Sequence, residues 1–170
     1  QEKPIIIGER INPTGRKVLA EEIRKGSFIM VKKDALAQVE AGADVLDVNM
    51  GVTGVDPGET MKRAIEELTM LVEVPLSIDT LDPVAMEAGL KAYPGRPLLN
   101  SVNAEPEQLE AVLPLAKRYG AALLCLPLGK KELPETAEER VSLAKEIVLE
   151  AYNYGLRPND LLLDPLVLTL

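Results

Sequence analysis

Histidine is absent from this 170-residue chain, and so is tryptophan. The chain therefore lacks the side chain that most often acts as acid or base near neutral pH, which is also the commonest metal ligand. Cys125 is the single cysteine, so no disulfide framework can form, and its apolar setting in AALLCLPL indicates a buried structural thiol. Acid–base chemistry must fall to carboxylates, Lys, Tyr or bound water, and we expect no metal ligands among the site residues.

Aromatic residues make up only 3% of the chain and the formal net charge is −8. A nucleic-acid-binding protein normally shows a basic face, so this charge argues against a nucleic-acid partner. No apolar run approaches the roughly 18 residues of a membrane span, and the N-terminus has no charged-then-apolar signal pattern. We therefore expect a cytoplasmic protein without a membrane partner.

Short apolar runs that end in polar residues alternate with segments of helical periodicity. Runs of four to six apolar residues are typical of strands buried on both faces of a parallel sheet. Between them, apolar residues recur at helical spacing, and helix 1 is predicted over 31–41. Gly89, Gly95, Gly120 and Gly155 are expected near helix ends. The apolar runs are PIIIGER at 4–10, ADVLDVN at 43–49, PLSIDT at 75–80, PLLNSVN at 97–103, AALLCLPL at 121–128 and DLLLDPL at 160–166.

The element order predicts an α/β fold. Consecutive predicted strand ends lie 21 to 39 residues apart, and a (β/α)8 barrel has a mean repeat of about 31. A doubly wound sheet gives similar spacings. Six strands with barrel shear cannot close and would leave two parallel edges open. Either the sheet is open, or residues 1–170 form the N-terminal three-quarters of a TIM-type barrel whose last two βα units are absent. The predicted strand ends are Gly8, Asp47, Asp79, Asn100, Leu126 and Asp164.

Polar side chains cluster at the C-terminal ends of the predicted strands, where parallel α/β sheets form ligand sites. A carboxylate after a strand can instead cap the following helix. Near Asp79 that role falls to Asp82, which directly precedes Pro83. Asp47 comes too early to cap the helix around 60–73. The candidate residues are Glu9, Asn12, Asp47, Asn49, Asp79, Asn100 and Asp164.

These residues are hydrogen-bond acceptors and amides, a set that suits a flat heterocycle rich in N–H donors. Oxygen ligands also suit Mg²⁺ or Ca²⁺, which is the rival interpretation, although no EF-hand-like loop is present. The segment GVTGVDPG at 51–58 lacks the lysine of a phosphate-binding P-loop.

Five segments in register carry a family resemblance: GERINPTG, DVNMG, SIDT, LLNSVN and LLLDPL, following strands 1, 2, 3, 4 and 6. The sequence resembles the pterin-binding barrel family over essentially its whole length. Within that family it is most similar to the methyltetrahydrofolate–corrinoid methyltransferases and to the folate-binding domain of cobalamin-dependent methionine synthase. Dihydropteroate synthase is the sister branch, but its expected loops after strands 1 and 2 differ from INPTGR and DVNMGVTG.

The resemblance implies roles for matching positions. Asp79, Asn100 and Asp164 would bind the pterin ring and form the catalytic hydrogen-bond network, with Asp47 and Asn49 beside them. Glu9 and Asn12 would shape the loop, and Arg10 is expected to form a structural ion pair with a neighbouring acid.

The implied reaction moves the N5-methyl group of methyltetrahydrofolate to cobalt(I) of a corrinoid (cobalamin) carried by a partner protein or domain. That partner would dock over the C-terminal face of the barrel, and the family relationship implies a homodimer. Family residues that lie beyond strand 6 have no counterpart here, so we expect the 170 residues alone to fold poorly and to transfer no methyl groups. Dihydropteroate synthesis and a non-catalytic pterin-binding module remain alternatives, and the sequence does not name the final methyl acceptor.

Overall fold

The computed structural model describes residues 3–129 and 133–167. The chain forms two compact units, Gln1–Pro97 and Leu98–Leu170. In the first unit, three strands alternate with helices in the order β1 (Ile7–Ile11), α1 (Lys17–Arg24), α2 (Ile29–Glu40), β2 (Val45–Asn49), α3 (Pro57–Thr69), β3 (Leu76–Asp79) and α4 (Pro83–Ala92).

The strands of the first unit are parallel and pair in chain order, β1 with β2 and β2 with β3. The first strand differs from its prediction over 4–10, because it begins at Ile7 and runs through Gly8 to Ile11. Glu9 and Arg10 therefore lie within the strand instead of following it. A β-bulge between Gly8 and Ile11 shifts the register against β2 there.

Two helices of this unit, α3 and α4, begin with the expected capping chemistry. The Asp82 carboxylate accepts a hydrogen bond from the Val84 backbone N–H at 2.9 Å, which confirms Asp82 as the N-cap of α4. Asp56 does the same for α3 through the Glu59 N–H at 2.7 Å. These two caps leave the carboxylates at the ends of β2 and β3 available for other contacts.

Two predictions about helices were wrong. The helix predicted over 31–41 is α2, but α1 precedes it and was missed; its signal is the buried pair Leu19 and Ile23 at helical spacing. Gly89 lies inside α4 and not near its end. A Cβ there would come within 3.0 Å of the Met61 side chain and 3.1 Å of the Ile78 side chain, so a glycine permits this close packing.

The second unit contains β4 (Leu98–Val102), α5 (Pro106–Tyr119), β5 (Ala122–Cys125), α6 (Ala137–Asn153), a 3-10 turn (Pro158–Asp160) and β6 (Leu161–Leu163). Its strands are also parallel and pair in chain order. Helix α5 ends at Gly120, whose φ of +64° is the left-handed conformation of a C-cap. Helix α6 begins with a capping box between Thr136 and Glu139.

Burial on both faces is confirmed for the central runs and was wrong for the first and last. β2 and β3 are buried along most of their length. Ile5 and Ile6, by contrast, are 73% and 53% exposed, and Leu162 and Leu163 are 41% and 52% exposed. The physical reason is that, among the described residues, β1 pairs only with β2 and β6 only with β5.

Within the described part of the chain, no helix combines the length and the apolar character needed to cross a membrane.

Candidate functional site

The two faces of β2 and β3 differ in chemistry because side chains alternate along a strand. On one face lie Leu46, Val48, Leu76 and Ile78, all fully buried. The Ile78 side chain approaches Gly89 of α4, so this apolar face packs against the helices. The opposite face carries Asp47, Asn49, Ser77 and Asp79, and we call these four residues the polar face.

The register of the parallel pair places the members of the polar face side by side. Asp47 is the partner of Ser77, and Asn49 is the partner of Asp79. The Asn49 side-chain amide donates to Asp79 Oδ2 at 2.9 Å. The Asn49 side-chain oxygen accepts from the Gly51 N–H at 2.9 Å. Asn49 is therefore held from both sides and fixes the orientation of the Asp79 carboxyl group.

Asp47 and Asp79 form a carboxyl pair joined by a hydrogen bond. Burial, which disfavours the charged form, is the main cause that raises the pKa of Asp79 to about 6. The negative charge of Asp47 and its hydrogen bond raise that pKa further, whereas the hydrogen bond from Asn49 opposes the rise. In a chain without histidine, this carboxyl group titrates close to neutral pH.

Glu9 lies on the same side of the sheet as the polar face. Its flanking residues face α2: a Cβ on Gly8 would meet Gln38, and Arg10 pairs with Asp34. The negative charge of Glu9 also contributes to the raised pKa of Asp79. The structure thus brings together four of the candidate residues, namely Glu9, Asp47, Asn49 and Asp79.

The loop after β1 is stabilised by hydrogen bonds and ion pairs of its side chains. Asn12 Oδ1 accepts from the Thr14 N–H at 2.9 Å, so this oxygen stabilises the turn. Arg16 forms an ion pair with Asp34 of α2 at 2.7 Å and also donates to the Arg10 carbonyl. The expected ion pair of Arg10 is confirmed, with Asp34 at 3.4 Å. These contacts make Asn12 a loop-shaping residue in the described geometry.

The other two candidates belong to the second unit. Asn100 is half-buried in β4, where its register partner is Leu124 of β5. Asp164 directly follows β6, and its backbone N–H donates to the Cys125 carbonyl at 3.1 Å. Asp164 Oδ1 accepts from the Leu166 N–H at 2.8 Å. Asp164 therefore lies beyond the C-terminal end of β6, as the sequence predicted. Asn100 was predicted to end β4, but it is the middle residue of that strand, which continues to Val102.

Cys125 is fully buried, and burial raises the pKa of its thiol to about 12. This confirms the structural thiol predicted from its apolar run. Across residues 3–129 and 133–167, no group of three or more His, Cys, Asp or Glu side chains is arranged to hold a metal ion.

Sequence reasoning missed two residues around the site. Asp34 anchors the β1–α1 loop through two arginines. Ser77 lies on the polar face, and its signal is its position two residues before Asp79 in the strand LSID. The ion pairs of Asp34 join segments that are distant in the sequence, so no local sequence pattern predicts them.

The family model of the pterin binding enzymes matches residues 8–169. The chain belongs to the pterin-binding enzyme family. It is 32% identical over 98% of its length to a methylcorrinoid:tetrahydrofolate methyltransferase from Eubacterium limosum. It is 28% identical, again over 98% of its length, to a methionine synthase from Mycobacterium tuberculosis. The chain spans 62% of the first relative and 14% of the second.

Solved structures of dihydropteroate synthase from Xanthomonas albilineans share the fold. One in complex with 7,8-dihydropteroate matches at a TM-score of 0.70 and 26% identity. Another, with 4-aminobenzoic acid, matches at a TM-score of 0.73 and 25% identity. Each match covers 96% of this chain and 59% or 60% of the synthase chain. The predicted fold class is confirmed as α/β of the TIM-barrel type, with six parallel strands in the described residues.

Proposed function

We propose that this chain is the folate-binding part of a methyltransferase that moves the N5-methyl group of methyltetrahydrofolate to cobalt(I) of a protein-bound corrinoid. Three observations support this class of activity. The family match covers nearly the whole chain, and the first curated relative acts, by its name, between a methylcorrinoid and tetrahydrofolate. The polar face offers the chemistry that a pterin edge requires.

The observation that carries the proposal is the oriented carboxyl group of Asp79. A pterin presents an amino group and a ring N–H side by side, and one carboxylate can accept hydrogen bonds from both. Asn49 holds that carboxyl group in place through its 2.9 Å hydrogen bond. We propose that Asp47, Asn49 and Asp79 bind the ring, that Asn100 and Asp164 complete the binding and catalytic network, and that Glu9 and Asn12 shape its border.

The protein's own part in the reaction is to hold the ring and to manage one proton. As the N5–methyl bond breaks, N5 keeps the electron pair of that bond and must gain a proton. Because Asp79 accepts both N–H groups of the pterin edge as a carboxylate, that proton must reach N5 through the proposed hydrogen-bond network of Asp, Asn and water. When bound, a reduced corrinoid supplies the nucleophilic cobalt(I) that takes the methyl group. The same groups serve the reverse transfer, which the name of the first relative describes.

The remaining parts of the proposal concern partners and location. We propose that the corrinoid arrives on a separate protein or domain that docks over the C-terminal ends of the strands, because substrate sites of this fold class lie there. A homodimer and a cytoplasmic location complete the proposal, on the analogy with the family alone.

Dihydropteroate synthase is the second candidate because solved synthases share the fold at TM-scores of 0.70 to 0.73. The loops argue against it. The segments INPTGR after β1 and DVNMGVTG after β2 differ from the loops that the synthase branch leads us to expect. A non-catalytic pterin-binding module is the third candidate, since the chain spans only part of its relatives.

Calorimetric titration of the chain with methyltetrahydrofolate tests the proposal first, and a cobalt(I) methylation assay followed by absorbance tests it second. The proposal expects binding that Asp79→Ala weakens by about tenfold or more, because a buried donor edge loses its acceptor. Lys145→Ala, a substitution on α6 outside the candidate site, is the matched control and should bind as the unaltered chain does.

The outcomes separate the three candidates. Binding together with methyl transfer in either direction supports the methyltransferase. Condensation of a dihydropterin pyrophosphate with 4-aminobenzoate supports the synthase. Binding without either reaction supports a pterin-binding chain that, as the sequence predicts for residues 1–170, transfers no methyl group by itself. No detectable binding of methyltetrahydrofolate contradicts the proposed function.

A further inference from the structure

We propose that Ser77 is a positioning residue of the pterin site, whose hydroxyl group donates a hydrogen bond to Asp47 when a ligand engages Asp79. This inference rests on the proposed function. It assigns a role to Ser77, a side chain of the polar face that lies beside Asp47 in the sheet and makes no hydrogen bond in the ligand-free protein.

The Ser77 hydroxyl is the first observation. The residue is fully buried in the middle of β3. Its oxygen is inaccessible to solvent and has no hydrogen-bond partner. Buried hydroxyl groups are normally satisfied, because leaving one unpaired costs free energy. A strand position that needed only packing would be served by alanine, so this hydroxyl calls for a functional explanation.

The position of Ser77 is the second observation. Ser77 and Asp47 are register partners on adjacent parallel strands, and such strands lie roughly 4.8 Å apart. Both side chains lie on the polar face, and Asp47 is only 5% exposed. A serine hydroxyl can turn among its rotamers, so its O–H can reach a carboxylate oxygen at this separation.

The carboxyl pair explains when that hydrogen bond would form. In the free protein, Asp47 and Asp79 are hydrogen-bonded to each other. A pterin edge that donates two N–H groups to Asp79 engages both oxygens of the Asp79 carboxylate, so the hydrogen bond between Asp79 and Asp47 is lost. Asp47 then faces a like charge in a poorly solvated position. A hydrogen bond from Ser77 stabilises the Asp47 carboxylate in the bound state and so favours binding.

Ser77→Ala tests the inference, with methyltetrahydrofolate as the probe and Thr60→Val as the matched control. Thr60 is also buried in the first unit, but its hydroxyl already donates to the Asp56 carbonyl at 2.6 Å. We expect Ser77→Ala to bind about tenfold more weakly while the free protein keeps its denaturation midpoint or gains slightly, since an unpaired buried hydroxyl is removed. Thr60→Val should show the opposite pattern, with lower stability and unchanged affinity.

Ser77→Thr retains a hydroxyl and should recover most of the affinity, which a merely structural role of the serine would not predict. Equal affinity of Ser77→Ala and the unaltered chain overturns this inference and leaves the proposed function intact. A parallel loss of stability and affinity in Ser77→Ala also overturns it, because it indicates a packing role. Failure of the unaltered chain to bind methyltetrahydrofolate overturns the proposed function and this inference with it.

Discussion

The two faces of β2 and β3 are formed by alternate residues of the same two strands, yet they differ in polarity and in their effect on stability. The apolar face, formed by Leu46, Val48, Leu76 and Ile78, is fully buried against helices and contributes stability. The polar face places two carboxyl groups in contact, with a third carboxylate, Glu9, close enough to raise the pKa of Asp79. Like charges brought together in a partly desolvated place oppose folding.

One face of these strands therefore serves stability, and the other carries the groups of the candidate site. A strand that served only the core would carry apolar residues on both faces, as parallel strands commonly do. Here the polar face retains a carboxyl group, Asp79, whose pKa is raised by burial and by the neighbouring Asp47, which is the arrangement found at binding and catalytic sites. Substitutions on the two faces should therefore have opposite effects on stability and affinity.

The largest effect should come from the apolar face. Leu76→Ala removes a fully buried side chain and should lower the free energy of unfolding by about 2–5 kcal/mol. Affinity for methyltetrahydrofolate should change less than about twofold under conditions where the variant is folded. Chemical denaturation and calorimetry measure the two quantities, and Leu76→Ile, which conserves volume, is the control. A tenfold affinity loss at unchanged stability would break the distinction between the faces.

Asp79→Asn should change affinity next most strongly. The substitution keeps the shape of the side chain but replaces an acceptor with a group that also donates, so one pterin N–H loses its partner. We expect affinity to fall by roughly 1.5–3 kcal/mol, the range for hydrogen bonds to charged groups. Calorimetric titration measures the loss, and Asp82→Asn, at a helix cap three residues away, is the matched control. Unchanged affinity in Asp79→Asn would remove Asp79 from the site.

The same substitution should make the free protein more stable at pH 7.5. The pKa of Asp79 is raised from 3.8 to about 6 in the folded protein, so its contribution to stability is fully present below pH 3.8 and is lost as the pH rises through 6. Asparagine removes this loss. We expect a gain of about 1 kcal/mol after allowance for solvent screening, or about 2–4 °C in Tm. The gain should vanish below pH 4; a gain independent of pH would contradict the assigned cause.

The pH dependence of binding should be similar in size to this gain in stability. Since a pterin edge needs the Asp79 carboxylate, the association constant should fall about tenfold between pH 7.5 and pH 5. Asp47 and Glu9 are the charged groups whose influence raises this pKa, and Asn49 opposes them. The same pH series with Asp79→Asn measures the part of the pH dependence that comes from protonation of the ligand, and this part is subtracted. An affinity that stays constant across this range in the unaltered chain would contradict the proposal.

Much of the fold could be predicted from local chemistry. Alternating apolar runs and helical periods indicated the α/β order, and the Asp82-Pro83 step marked the start of α4. Helix α1 was missed because it is short and only two of its residues, Leu19 and Ile23, are buried. Burial of the first and last strands was predicted wrongly. The burial of a strand depends on which strands and helices pack beside it, and the residues of the strand itself do not determine those neighbours.

The sequence predicted candidate site residues but not the contacts that they make. Asp47, Asn49 and Asp79 were predicted near the C-terminal ends of two strands. Because these ends lie at one edge of a parallel sheet, the three side chains were expected to lie close together. The register that pairs Asp47 with Ser77, and the tie between Arg16 and Asp34, join segments that are far apart in the chain. Such contacts form only in the folded structure, so no local sequence pattern predicts them.

The most direct measurement is the titration of the Asp79 carboxyl group by carbon-13 NMR, in the free chain and in the chain saturated with methyltetrahydrofolate. We expect a midpoint of about 6 in the free protein. We also expect a clear move to lower pH with the ligand bound, because N–H donors stabilise the carboxylate. A free-state midpoint near the ordinary value of about 4, or a midpoint that the ligand leaves unchanged or raises, would contradict this expectation.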